Sequence, residues 1–201
     1  MAKTMTTSAM TDGQIDRACE IFRAKLIKHR FEFFSEAVQQ ALGDPNLSKE
    51  WLGSLRIRVE AVGNMIVRRV HVDRSRTPQD VLDATGRNQY TDKNVVKAMP
   101  SGEGKKVEVC FFNLGCFVSD ADLEKEYELR GLKPVDPYSL AQVNTDDPVF
   151  ADDHPNGTHW KDTKDCWCFA TFRRSADALR VGVDRGGGGW DGHWWFGGVR
   201  K

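Results

Sequence analysis

At 201 residues, the chain is long enough for one sizeable core with a small helical appendage. A hydrophobic content of 40% and a charged content of 29% place it with ordinary globular proteins and against the disordered and membrane-spanning classes. The formal net charge is zero, which argues against a protein that grips nucleic acid through a basic excess.

Residues 1–11 (MAKTMTTSAMT) read as a disordered tail. They lack the apolar core of a signal peptide, and no segment approaches the ~18 apolar residues of a membrane span. The expected location is therefore cytoplasmic, or a virion or cell surface reached by a route the sequence does not display. Five cysteines (Cys19, Cys110, Cys116, Cys166, Cys168), an odd number without a secretory signal, predict reduced thiols.

Helix signals start at Asp12. Ile15, Cys19, Phe22, Leu26 and His29 recur near a 3.6-residue period and make one apolar stripe. A second helical stretch, Phe31 to Leu42, stops at Gly43-Asp44-Pro45, and a third is predicted from Leu47 to about Val62. Part of Met65 to Val72 alternates as a half-buried strand. The arginines here (Arg56, Arg58, Arg68, Arg69, Arg74, Arg76) come without an aromatic stacking motif, so they predict a solvated face paired with acidic residues rather than a nucleic-acid contact. Thr77-Pro78 opens a helix that ends near Gly86, and a short helix fits Asp92 to Met99.

The second half is more orderly. Lys106 to Phe112 alternates and then becomes wholly apolar, which predicts a central strand. Ser119 caps a helix whose inward residues include Leu123 and Tyr127, and Gly131 ends it. Pro137 opens another helix, Tyr138 to Val143, and Asn144 to Gly157 reads as mostly loop. Strands are predicted at Thr158 to Lys161, Trp167 to Arg173, Leu179 to Asp184 and Trp194 to Arg200.

Several constellations could carry chemistry. His154, His159, Cys166, Cys168 and His193 are the one metal-like set, but Cys-Trp-Cys lacks the usual zinc-knuckle spacing and reads instead as two small core side chains on one strand face. Asp146, Asp147, Asp152, Asp153 and Asp165 do not follow an EF-hand loop. Gly186 to Gly189 lacks the Lys-Ser/Thr of a phosphate loop. No nucleophile–base motif stands out, so neither a catalytic residue nor a cofactor is expected.

The C-terminal segment is the informative part. Five of the six tryptophans lie between Trp160 and Trp195. Between Cys168 and Gly189 there is no Lys, Glu, Gln, Met or Trp, although these types make up about a fifth of the chain. None of the five can be encoded by a codon ending in cytosine. Every residue in the window can be reached from an asparagine AAC codon by changing its two adenines. On composition alone a flexible glycine hairpin is the better account of the four glycines.

Two features together resemble a known family. The strand–helix–helix–strands order from Val107 onward resembles the C-type lectin fold. The terminus Trp190-Asp-Gly-His-Trp-Trp-Phe-Gly-Gly-Val-Arg-Lys201 looks like that of variable proteins of diversity-generating retroelements. In that family a reverse transcriptase copies a template with errors at adenines, and the copy replaces the 3′ end of the target gene. The resemblance covers roughly residues 105–201 and implies a C-type lectin-like domain there; ahead of it the residues read as a disordered tail (1–11) and a mostly helical accessory region with one or two strands (12–104), an α+β chain overall. It makes Trp167, Trp190, Trp194, Trp195 and Phe196 framework. It makes Arg173, Ala176, Arg180, Gly182, Asp184, Gly186, Gly188, Asp191 and His193 variable ligand-binding positions. Strand alternation agrees in one place, with Val181 and Val183 inward and Arg180, Gly182 and Asp184 outward.

The implied function is non-enzymatic binding of a protein or surface ligand, with the helical region docking a partner or pairing subunits into a homo-oligomer. Two alternatives stay open. One is a formylglycine-generating-like or other small metal-dependent enzyme using Cys166 and Cys168. The other is an intracellular adaptor that binds through its helical half.

Overall fold

The computed structural model describes residues 10–175 and 178–201. Most of the predicted tail, and Ala176, lie outside the described residues. The chain divides into two compact units, Met1–Gly63 and Asn64–Lys201.

The first unit is helical. α1 (Asp12–His29) begins at a capping box, with Thr11 and Gln14 satisfying each other's backbone N–H groups. α2 spans Ser35–Leu42, and α3 spans Leu47–Gly63. Between α1 and α2 the chain makes a 3-10 turn at Arg30–Glu32, so helix does not start at Phe31 as the sequence suggested. The apolar stripe of α1 buries none of its residues: Ile15, Phe22 and Leu26 stay exposed. Phe22 stacks on Trp51 of α3, with ring centroids 5.4 Å apart.

The second unit is built on an eight-stranded sheet. Its strands are β1 (Ile66–His71), β2 (Asn88–Thr91), β3 (Lys106–Asn113), β4 (Leu132–Pro134), β5 (Asn156–Lys161), β6 (Trp167–Ser175), β7 (Ala178–Arg185) and β8 (Trp195–Arg200). The order is β1-β3-β8-β5-β6-β7-β2, with β4 paired to β8 beside this path. Most neighbours are antiparallel, but β5 runs parallel to β8 and β2 parallel to β7. The helices of this unit are α4 (Pro78–Asp83), α5 (Lys93–Lys97), α6 (Asp120–Leu129), α7 (Pro137–Asp146) and α8 (Phe150–Asp153). Side chains of Thr77, Asp92, Ser119 and Asp136 cap the first four.

This arrangement corrects the expected domain boundary. Residues 64–104 are not an accessory region: β1 pairs with β3 and β2 pairs with β7, so this stretch supplies both ends of the sheet. Asn88-Gln-Tyr-Thr91 is a polar edge strand and carries no apolar run to betray it.

The sheet is covered on both faces. Val109, Phe111, Phe172, Val181 and Val183 join Leu82, Val95, Leu140 and Phe150 in one core. Cys110, Phe112 and Phe196 join Leu123, Tyr127, Leu132 and Trp190 in the other. Alternate residues of β3 therefore enter opposite cores, which is why its sequence loses its polar alternation. Among the described residues, no helix is long and apolar enough to cross a membrane.

Candidate functional site

The site is organised by Trp190, in the connection from β7 to β8. Its backbone exchanges hydrogen bonds with Val118 just before α6, at 2.8 and 2.9 Å. Its indole N–H donates to Asp120 Oδ1 at 2.9 Å. Its ring packs edge-on against Phe196 (5.4 Å), Trp194 (5.8 Å) and Phe169 (6.1 Å). Asn113 clamps the same connection by donating through Nδ2 to the carbonyls of Gly192 (2.9 Å) and Trp194 (2.7 Å). The loop that carries the glycine run is thus fastened at its far end to β3 and to the start of α6.

Beneath it lies a buried polar cluster. His159 is 1% exposed. Its Nδ1 meets Asp120 Oδ1 at 2.8 Å and its Nε2 meets Glu124 Oε1 at 2.7 Å. The imidazole stacks on Trp167, with centroids 4.6 Å apart. Burial pushes the Asp120 carboxyl up, but the hydrogen bonds from His159 and Trp190 outweigh it and hold the group below its ordinary value. With a carboxylate oxygen on each ring nitrogen, His159 has no free nitrogen to serve as a base. It ties β5 to α6 instead.

Beside the Trp190 anchor, β2, β6 and β7 form an open depression of about 420 Å³. Arg173, Arg180, Gly182 and Asp184 line it together with Tyr90, Phe169, Thr171, Trp190 and Trp194. The strand geometry explains the set. Val181 and Val183 are fully buried in the first core, so Arg180, Gly182 and Asp184 face the other side. Arg173 stands opposite Arg180 in the register of β6 and β7, and Thr171 opposite Gly182. The Arg180 guanidinium lies 5.0 Å from the centre of the Tyr90 ring.

The other sequence-derived positions fall elsewhere. Gly186, Gly188, Asp191 and His193 are exposed on the β7–β8 connection, outside the lining of the depression. Trp195 turns to the opposite face of the sheet, where it meets His154 edge-on at 4.8 Å. Phe196 is buried beneath Trp190. Sequence reasoning missed Tyr90 with its strand. It also missed Phe169 and Thr171, which the alternation of β6 with Arg173 could have found.

The glycines are not equivalent. A Cβ at Gly188 would meet nothing within 4 Å. At Gly189, φ is +83° and a Cβ would lie 2.8 Å from the Val118 carbonyl oxygen, so this position needs glycine. At Gly182 a Cβ would lie 2.8 Å from Thr171 Oγ1, and at Gly186 2.9 Å from the Phe169 ring. Those two positions accept a side chain only if a neighbour turns.

The Cys-Trp-Cys reading also changes. Cys166 precedes β6 and is exposed, while Cys168 is buried, so they are not a pair of core side chains. Burial pushes the Cys168 thiol up, away from the thiolate that a metal or a substrate would need. His154, His159 and His193 have separate partners: Phe150 and Trp195, the two carboxylates, and Trp194. Among the described residues, no group of three or more His, Cys, Asp or Glu side chains could hold a metal ion.

Compared with known protein families, with curated proteins and with solved structures, the chain has no match.

Proposed function

We propose that the protein is a non-enzymatic ligand-binding protein whose C-terminal face, about residues 168–193, is diversified by adenine-directed retroelement mutagenesis on a C-type lectin-like scaffold. One observation carries the reading. Arg173, Arg180, Gly182 and Asp184, all in the codon-restricted window, line one depression beside the anchored Trp190 and Trp194. None of the eight described candidate variable positions is buried, whereas Trp190 and Phe196 are.

This is the arrangement a display surface needs. Substitutions at exposed positions usually change stability by less than ~0.5 kcal/mol, whereas truncating a buried Trp costs ~3–5 kcal/mol. Residues that vary must sit where variation is cheap, and the rings that hold them must not vary. The lectin-like part of the reading is supported by the pairing of β3 with β8, with α6, α7, α8 and strands β4 to β7 between them in sequence.

Sequencing the coding segment for residues 168–195 in many individuals of one population tests the proposal. Substitutions should fall in the first two bases of codons for Arg173, Arg180, Asp184, Gly188, Asp191 and His193. The Trp190, Trp194 and Phe196 codons should stay constant. Uniform sequence throughout, or variation spread evenly over framework codons, would contradict it.

A further inference from the structure

The arginines of β6 and β7 divide by face. Arg174 pairs with Asp152 at 2.9 Å and Arg185 with Asp162 at 2.9 Å. Arg173 and Arg180 line the depression instead, directly opposite each other across the two strands. Like charges in that relation destabilise a sheet. Among the described residues, the Arg173 side chain makes no hydrogen bond or ion pair, and the Arg180 guanidinium meets only the Tyr90 ring. The Nε of Arg180 is buried without an acceptor. A buried donor left unpaired is a cost that folding does not recover by itself.

Among the described residues the one carboxylate in the lining is Asp184, and it does not neutralise them. It sits four residues along β7 from Arg180, roughly 13 Å at the rise of a strand. Its Oδ1 accepts the Arg185 backbone N–H at 2.7 Å. The depression is therefore positive at one end and negative at the other, with Tyr90, Phe169, Trp190 and Trp194 as apolar walls. Its volume of about 420 Å³ lies in the range of pockets that hold a small molecule or one projecting ligand group.

We propose that this depression is an oxyanion site, in which Arg173 and Arg180 bind a carboxylate, phosphate or sulfate and the aromatic walls take a flat apolar group attached to it. The proposal names the ligand chemistry of the face described above and rests on that reading. Guanidinium is the cation whose planar fork matches such oxygens two at a time. It also relieves the repulsion between the two facing charges. Tyr90 holds the Arg180 plane, so less freedom is lost on binding.

The test is titration of the full-length protein with phenyl phosphate, benzoate and inorganic phosphate, followed by NMR of the tryptophan indole N–H signals. Phenyl phosphate should bind more tightly than inorganic phosphate and shift Trp190 and Trp194. The benzoate arm tells a carboxylate preference from a phosphate one, and binding of either aryl anion supports the proposal. Arg173→Gln and Arg180→Gln should each weaken binding at least about tenfold, the loss expected for a charge-assisted hydrogen bond. Arg180→Lys, which keeps the charge and loses the fork, should weaken it nearly as much.

Thermal melts check that each variant is folded. No binding of any of the three anions, binding unaffected by both Gln variants, or a preference for benzylamine over phenyl phosphate would overturn the proposal. Those results would leave population sequencing as the judge of diversification. Constant codons with arginine-dependent anion binding would instead sink the diversification reading and keep the site.

Discussion

Three consecutive residues should respond to substitution in three different ways. At Gly188 an added Cβ meets nothing within 4 Å, so Gly188→Ser should change stability by no more than ~0.5 kcal/mol. At Gly189, one residue on, Gly189→Ala forces φ +83° on an L side chain and drives its Cβ toward Phe117 and the Val118 carbonyl. That should cost about 1–3 kcal/mol. Trp190 is 6% exposed and ties the loop to α6 through Asp120. Trp190→Ala should cost about 3–5 kcal/mol. At the roughly 2–4 °C per kcal/mol of a chain this size, that lowers the melting temperature by roughly 6–20 °C. Trp190→Phe keeps the packing, loses the donor to a carboxylate, and should cost about 1.5–3 kcal/mol. The assay is thermal unfolding followed by near-ultraviolet circular dichroism. If Gly188→Ser cost as much as Trp190→Ala, or if Trp190→Ala melted like the parent, the separation into anchor and display positions would be wrong.

Exposed positions should also tolerate change together: the combination of Asp184→Asn, Gly188→Ser, Asp191→Asn and His193→Tyr should shift the melting temperature by less than about 4 °C. The Asp120 carboxyl is held below its ordinary value in the folded chain. Its contribution is therefore complete above the unfolded carboxyl pKa and is lost as pH falls through the folded one. Denaturant unfolding between pH 6 and 2 should show Asp120→Asn with a shallower acid-side loss than the parent, and identical slopes would refute this. Tyr127 donates its hydroxyl to the Gly197 carbonyl at 2.9 Å, so Tyr127→Phe should cost about 0.5–1.5 kcal/mol in the same assay. Both cores are drawn from residues 65–199, so residues 64–201 alone should unfold cooperatively. A gradual, non-cooperative melt would show that the sheet depends on residues 1–63.

What could be read from residues alone follows from how local each signal is. Caps at Thr77 and Ser119 were legible because a short polar side chain serves the backbone three residues away. The apolar run of β3 was legible because burial on both faces leaves a local trace. The boundary at Gly63 was not legible, because it is set by β1 pairing with β3 about forty residues later. β2 was hidden because a polar edge strand looks like a loop until its partner is known. The charged setting of His159 was equally hidden, since Asp120 and Glu124 come from another element, 39 and 35 residues away. The glycine run shows the limit most sharply. Four identical letters conceal an open position at Gly188 and an obligatory one at Gly189, because the Phe117-Val118 segment that crowds Gly189 is distant in sequence.

If the proposed function holds, the segment of about residues 168–193, which gives the depression Arg173, Arg180, Gly182 and Asp184, was written by copying a template with errors at adenines. The most direct measurement is the DNA sequence flanking the gene. It should contain a near-copy of the segment encoding about residues 168–195 that differs only where that copy has adenine, beside a reverse transcriptase gene. A complete flanking genome without such a copy would contradict the claim.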